Sequence, residues 1–188
     1  MSVEPTLPKS TNQHSECFMS EPLDIVLYPD EGLRQTCRLV EQMTDQHAHL
    51  VDEMLYTMYQ APGIGLAAPQ IGVQERLIVL DVSDQQDQPL ALINPEITQS
   101  DGEILYEEGC LSLPGVYAKV KRPRHIWVEG IDRDGQAVTF EASDLLAVCI
   151  QHEIDHLNGT LFVDHLSQLK RNRALQKYRK ERAAQTEN

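Results

Sequence analysis

Leu50, Val51, Met54, Leu55 and Met58 recur at the spacing of one helical stripe, with Thr44 placed to cap that helix and Pro62-Gly63 to end it. Upstream, residues 23–28 are apolar and Pro29-Asp30-Glu31-Gly32 predicts a turn. Downstream the period changes. Short apolar runs at residues 77–80, 90–93, 103–106, 116–120, 126–128 and 138–140 read as strands, and Asn94-Pro95, Asp101-Gly102, Pro114-Gly115 and Asp134-Gly135 as turns between them. Connections this short suit antiparallel hairpins better than crossover units. Ser143 is placed to cap a second helix that stops at Asn158-Gly159. Leu145, Leu146, Val148, Cys149, Ile150 and Ile154 make that helix apolar enough to require burial. From Ser167 the chain is polar and helix-favouring.

The stretch GIGLAAPQIG, residues 63–72, fits neither element type. Its glycines and proline oppose a regular helix, and it is too apolar for an ordinary surface loop. It reads as a buried connector or as backbone lining a ligand cleft. Residues 1–20 are polar, carry Pro5 and Pro8 and show no period, which predicts a flexible extension before a single domain at residues 21–188.

Composition narrows the partners. The chain of 188 residues is 41% hydrophobic, enough for one core, and its 16 Lys plus Arg against 29 Asp plus Glu give a formal net charge of -13. That balance disfavours DNA and anionic membranes as partners and favours small molecules or peptides. Lys170, Arg171, Arg173, Lys177, Arg179, Lys180 and Arg182 are seven of the 16 basic residues, so the C-terminal segment is cationic on an acidic protein. It is either a solvated helix or a docking surface for RNA or an acidic protein. Cys17, Cys37, Cys110 and Cys149 form no C-x-x-C pair, no apolar run reaches the roughly 18 residues of a membrane span, and the start lacks a basic segment followed by an apolar one. The expectation is a reducing, cytoplasmic setting.

The chemistry concentrates in Gln151-His152-Glu153-Ile154-Asp155-His156. Residues four apart share a helix face, so His152 and His156 can present two imidazoles to one metal while Glu153 lies beside them. That H-E-x-x-H pattern suggests metal-assisted hydrolysis, against the blander reading of a solvated helix face. Burial tips the balance, since two histidines and a glutamate in a core cost several kcal/mol unless something pairs with them. A third protein ligand is then required. A metzincin-type site is excluded because Phe162 stands where its last histidine would be; a downstream glutamate is available only as Glu181 or Glu187; His165 lies past the helix stop. Upstream, Cys110 offers a thiolate suited to borderline or soft divalent metals. His47 and His49 lie two apart and read as solvated, while His125 and Trp127 read as packing in or beside a strand.

Three stretches taken in order, GIGLAAPQ at 63–70, EGCLS at 108–112 and QHEIDHL at 151–157, resemble the signature motifs of the peptide deformylases, and the resemblance extends over about residues 22–180. It implies an α+β fold with antiparallel β-sheets packed around the central helix bearing the H-E-x-x-H motif, flanked by an N-terminal and a C-terminal helix. It implies removal of the formyl group from the N-terminal formylmethionine of newly synthesised polypeptides, with release of formate. Cys110, His152 and His156 would bind the metal, expected to be Fe(2+) with Zn2+, Ni2+ or Co2+ tolerated in its place. Glu153 would move the proton, while the Leu111 N–H and the Gln70 amide would stabilise the oxyanion. Gly63, Ile64, Gly65, Gly109, Val148 and Cys149 would receive the substrate, with Cys149 as packing rather than a fourth ligand. Partners implied are formylmethionyl nascent peptides and, through the basic C-terminal helix, the ribosome; the chain is expected to be a monomer. Pro62, Tyr106 and Tyr117 flank the motifs without an assigned role. A zinc-dependent peptidase using the same helix, or a structural metal site in a binding module, are the rival readings.

Overall fold

The structure, a computed structural model, describes residues 21–186, so the predicted extension at residues 1–20 lies outside the described residues. In chain order the elements are α1 (Asp45–Gln60), β1 (Gly65–Ala67), β2 (Leu77–Leu80), β3 (Leu90–Asp101), β4 (Ile104–Gly109), β5 (Tyr117–Arg122), β6 (His125–Ile131), β7 (Ala137–Ser143), α2 (Asp144–Leu157) and α3 (Gln168–Thr186). Short 3-10 turns occupy Glu31–Arg34, Ala68–Ile71 and Phe162–His165. The strands form one five-stranded sheet in the order β1-β2-β3-β6-β7 and a separate β4-β5 hairpin, and every pairing between them is antiparallel.

Both faces of the larger sheet are covered, which explains why β2 reads Leu-Ile-Val-Leu without a polar residue. Alternate side chains of a strand point to opposite faces. Ile78 and Leu80 accordingly pack with Ala147, Ile150, Ile154 and Leu157 of α2. Leu77 and Val79 pack with Val51, Met54 and Met58, the stripe of α1 that its sequence predicted. Each of those fully buried α1 side chains contributes roughly 1.5–3 kcal/mol. A third cluster joins Val120 of the hairpin to Leu33, Phe162, Leu175 and Tyr178, so α3 is anchored by two apolar residues and by a hydrogen bond from the Tyr178 hydroxyl to the Tyr28 carbonyl at 2.9 Å.

Two local expectations are corrected. Asn94-Pro95 is not a turn between strands: β3 runs twelve residues straight through it with a register shift between Ile93 and Glu96. Asn94 adopts φ 51°, a conformation asparagine tolerates, and its side-chain amide bonds both the N–H and the carbonyl of Val40, at 2.9 and 2.8 Å. The strand therefore bulges instead of ending. His47 is not free in solvent either; it accepts the Thr44 N–H at 3.1 Å and its other nitrogen lies 3.3 Å from Glu75. Among the described residues no helix is long and apolar enough to cross a membrane.

Candidate metal centre and active site

The buried helix α2 carries His152, Glu153 and His156 into the interior, where β1 and the end of β4 meet it. β1 approaches α2 so closely that a Cβ on Gly65 would stand 2.2 Å from Glu153 Oε1 and 2.8 Å from Cys149 Sγ. Only glycine fits there. β4 ends at Gly109 and the chain turns, with Leu113 N–H bonded to the Cys110 carbonyl at 2.9 Å, which directs the Cys110 thiol at α2. Cys110 Sγ lies 3.2 Å from His156 Nε2, and the ligand atoms of Cys110, His152 and His156 are all within 4.8 Å of one another. Among the described residues no other group of three His, Cys, Asp or Glu side chains is so arranged.

A chain of buried charges fixes this arrangement from behind. His152 Nδ1 sits 2.8 Å from Glu108 Oε2; facing a carboxylate, that nitrogen carries a proton, so Nε2 is the ring atom turned toward the cysteine. Arg122, only 4% exposed, donates to both Glu108 oxygens at 2.8 and 2.9 Å and to Asp155 Oδ2 at 2.6 Å. Asp155 in turn bonds His165 Nε2 at 2.7 Å. Burial raises the Glu108 and Asp155 carboxyl pKa values, but their hydrogen bonds and charged partners outweigh it and hold both below the usual range. The considered ligand His165 thus belongs to this outer network, and Phe162 stacks on His152 with ring centroids 6.0 Å apart.

Electrostatics separates the two thiols near the site. Burial pushes the Cys110 thiol up, but the imidazoles of His156 and His152 pull it further down, to about 5. Cys149 is driven well above its ordinary value by burial and then by Glu153, and its Sγ contacts the Ile64 carbonyl at 3.4 Å. Glu153 is pushed up to about 7, mainly by burial, and its Oε2 is one of two buried side-chain atoms without a hydrogen-bond partner among the described residues, the other being His156 Nδ1.

Two donors flank the thiol. Gln70 is oriented by its own Oε1, which accepts the Ala67 N–H at 2.8 Å, so that Nε2 faces Ser112 Oγ at 3.2 Å and Cys110 Sγ at 3.5 Å. The Leu111 N–H has no partner among the described residues. These groups open on a cleft of about 450 Å³ walled by residues 61–65, residues 106–111, the turn 113–117, and Leu145, Val148 and Cys149 of α2. All the expected substrate-side positions, Gly63, Ile64, Gly65, Gly109, Val148 and Cys149, lie on that wall, as do the unassigned Pro62, Tyr106 and Tyr117.

Sequence reasoning missed Glu108, Arg122 and Asp155 as participants, although Glu108 and Asp155 lie inside the motifs. For Arg122 a signal existed: period two puts it on the same strand face as the buried Val120, and a charge on an apolar face requires a partner.

The sequence model described as polypeptide deformylase matches residues 22–172. The peptide deformylase of Hydrogenovibrio crunogenus is 66% identical over 165 residues, covering 88% of this chain and 98% of that protein. Among solved structures, a peptide deformylase from Legionella pneumophila matches with a TM-score of 0.85 and 45% identity over 89% of this chain and 99% of that one. Another from Synechococcus elongatus, in complex with actinonin, gives a TM-score of 0.80 and 46% identity over 85% of this chain and 89% of that one. The α+β architecture expected from the sequence is the one these proteins share. Such agreement, in sequence along residues 22–172 and in fold with solved deformylases, establishes that the chain belongs to the polypeptide deformylase family, metal-dependent hydrolases that remove the formyl group from an N-terminal methionine.

Proposed function

We propose that deformylation is carried out here by Glu153 beside a single divalent metal held by Cys110 Sγ, His152 Nε2 and His156 Nε2. The fit of such a metal rests on three donors within 4.8 Å of one another and an imidazole whose second nitrogen is committed to Glu108. Bound there, the metal supplies Lewis acidity at neutral pH. Glu153 takes the proton of the attacking water and delivers it to the departing amine. The Leu111 N–H and Gln70 Nε2 donate to the oxygen that becomes negative as the formyl carbon turns tetrahedral. Backbone at Gly63, Gly65 and Gly109 lies along the extended peptide, and Ile64, Val148 and Cys149 receive the methionine side chain.

The observation that carries this reading is the buried Glu153 carboxylate, with an unpartnered oxygen, on the wall of the cleft that holds the triad. Anaerobic assay of formylmethionyl peptides against unformylated ones tests it: Glu153→Ala is expected to lose about 10²–10⁴-fold in rate while retaining metal. Unimpaired deformylation by that variant would remove the role. The zinc-peptidase alternative is not favoured, and cleavage of internal peptide bonds by the wild type would be needed to revive it.

The native metal proposed is Fe(2+), with Zn2+, Ni2+ or Co2+ acceptable to the same donors, because affinity order alone does not select among them. Elemental analysis of protein purified without oxygen decides. Residues 21–188 are proposed to act as one catalytic unit in the cytoplasm, as a monomer, on formylmethionyl nascent peptides.

Ribosome docking is proposed to use one face of α3. Lys170, Arg173, Lys177 and Lys180 are exposed and fall on one side of the helix, opposite the buried Leu175 and Tyr178. Truncation after Leu169 would therefore strip core residues as well as charge. Reversing the four exposed charges to glutamate is the cleaner test: ribosome binding should fall and lose much of its salt dependence, with turnover of a short formyl peptide retained. Equal binding by the charge-reversed protein would sink the docking role.

A further inference from the structure

We infer that Tyr117 is a specificity-determining residue, an aromatic shelf at the mouth of the cleft that selects flat apolar side chains in the residues following formylmethionine. Tyr117 opens β5 directly opposite Gly109, the last residue of β4 and the neighbour of Cys110. A Cβ on Gly109 would lie 2.7 Å from Tyr117 Cε1 and 2.9 Å from Cδ1, so the ring rests on the bare backbone of that glycine. It is nevertheless 70% exposed, more than any other large hydrophobic residue among those described, and its hydroxyl has no hydrogen-bond partner among the described residues. It is absent from all three core clusters. Being both on the cleft wall and open to solvent, the ring stands at the cleft's mouth within reach of whatever extends past the metal centre.

The occupant follows from the reaction. An extended peptide advances about 3.3 Å per residue with side chains alternating in direction. With the formyl group beside Cys110 and the methionine side chain against Val148 and Cys149, the chain that follows must leave by the mouth. Tyr117, one cross-strand step from the residue preceding Cys110, then meets the second or third side chain. An aromatic face gains most from a flat apolar or aromatic partner, by about 2- to 12-fold in binding. Because this contact is the same in the ground state and the transition state, it acts on KM and not on kcat. The inference rests on the placement of methionine proposed above.

Steady-state kinetics with formyl-Met-Ala-Ala, formyl-Met-Phe-Ala and formyl-Met-Ala-Phe test it, for the wild type, Tyr117→Phe and Tyr117→Val, each checked for metal content and thermal unfolding. The wild type should prefer at least one phenylalanine-bearing peptide through a lower KM. Tyr117→Phe should keep that preference, and Tyr117→Val should reduce it by about 2- to 12-fold. A wild type without preference, an equal loss toward all three peptides in Tyr117→Val, or a loss in Tyr117→Phe matching that in Tyr117→Val would each overturn the proposal. Tyr117→Leu serves in place of the valine variant if that one fails to fold. Formyl-Ala-Ala-Ala separates the two readings: loss of discrimination between it and formyl-Met-Ala-Ala in the wild type refutes the methionine placement, whereas intact discrimination with an unchanged phenylalanine preference in Tyr117→Val refutes only the shelf.

Discussion

His152 Nδ1 meets Glu108 Oε2 at 2.8 Å, and this contact joins the helix that carries two of the proposed metal ligands to the strand that leads into the third. The carboxylate fixes the imidazole's tautomer and strengthens Nε2 as a donor. Glu108→Gln keeps an oxygen for the histidine but removes the charge and turns an amide N–H₂ toward Arg122. Metal affinity is expected to fall about 10- to 100-fold, read by competition with a chelator. Unchanged affinity would mean that the ring is held well enough by Phe162 and the helix alone.

Arg122 is the centre of the same network, binding Glu108 and Asp155 at once. Its removal leaves two carboxylates in the interior without their cation, a loss of about 3–5 kcal/mol for a buried pair broken on one side. Arg122→Ala should therefore unfold at markedly lower denaturant concentration. The double variant Glu108→Gln with Arg122→Met should be less destabilised than the sum of its single changes, since the two residues share one interaction. Strict additivity in that cycle would argue against direct coupling.

How far the sequence could lead is visible in these same residues. His152, Glu153 and His156 were legible because helix periodicity places them on one side of α2 whatever the rest of the chain does, and the stripe of α1 was legible for the same reason. The meeting of Cys110 with that helix was reached only through the resemblance of three separated motifs. For Arg122 the alternation of β5 marks a buried charge but does not name its partners, which lie 14 and 33 positions away, a distance over which only tertiary structure acts. Asn94-Pro95 misled because a local turn signal is equally a bulge signal when a long strand has an ordered partner for the asparagine side chain. Nothing near His47 in sequence announces Glu75, 28 positions on, so its pairing is visible only in the fold.

Gly65→Ala places a methyl group where Glu153 Oε1 already stands, at 2.2 Å. β1 is held in register by β2, so the carboxylate must move rather than the strand. If Glu153 moves the proton as proposed, a displacement of about 1 Å costs on the order of 10²-fold in rate, while overpacking of this kind costs about 1–3 kcal/mol of stability. The expected result is a protein that folds and binds metal but has kcat reduced far more than its melting temperature would imply. Retention of full kcat would show that Glu153 has an equivalent second position.

Asp81 supplies a test of acid stability away from the metal. Its carboxylate accepts hydrogen bonds from Ser83 N–H at 2.9 Å, Ser83 Oγ at 2.6 Å, Tyr59 hydroxyl at 2.8 Å and Gln88 N–H at 3.2 Å. Burial raises its pKa, but these four donors outweigh that and hold it below the ordinary value. The folded-state pKa is thus lower than that of the unfolded chain, about 3.9, so the stabilisation is complete above that value and is lost as pH falls through the folded pKa. Asp81→Asn puts an amide among four donors and accepts from at most two of them with its single oxygen, for a loss of about 1–3 kcal/mol at neutral pH. Denaturant unfolding at a series of pH values should show the variant less stable than wild type at pH 7, with the gap narrowing below about pH 4. A gap that stays constant through the acid range would assign the loss to packing instead of to the charge.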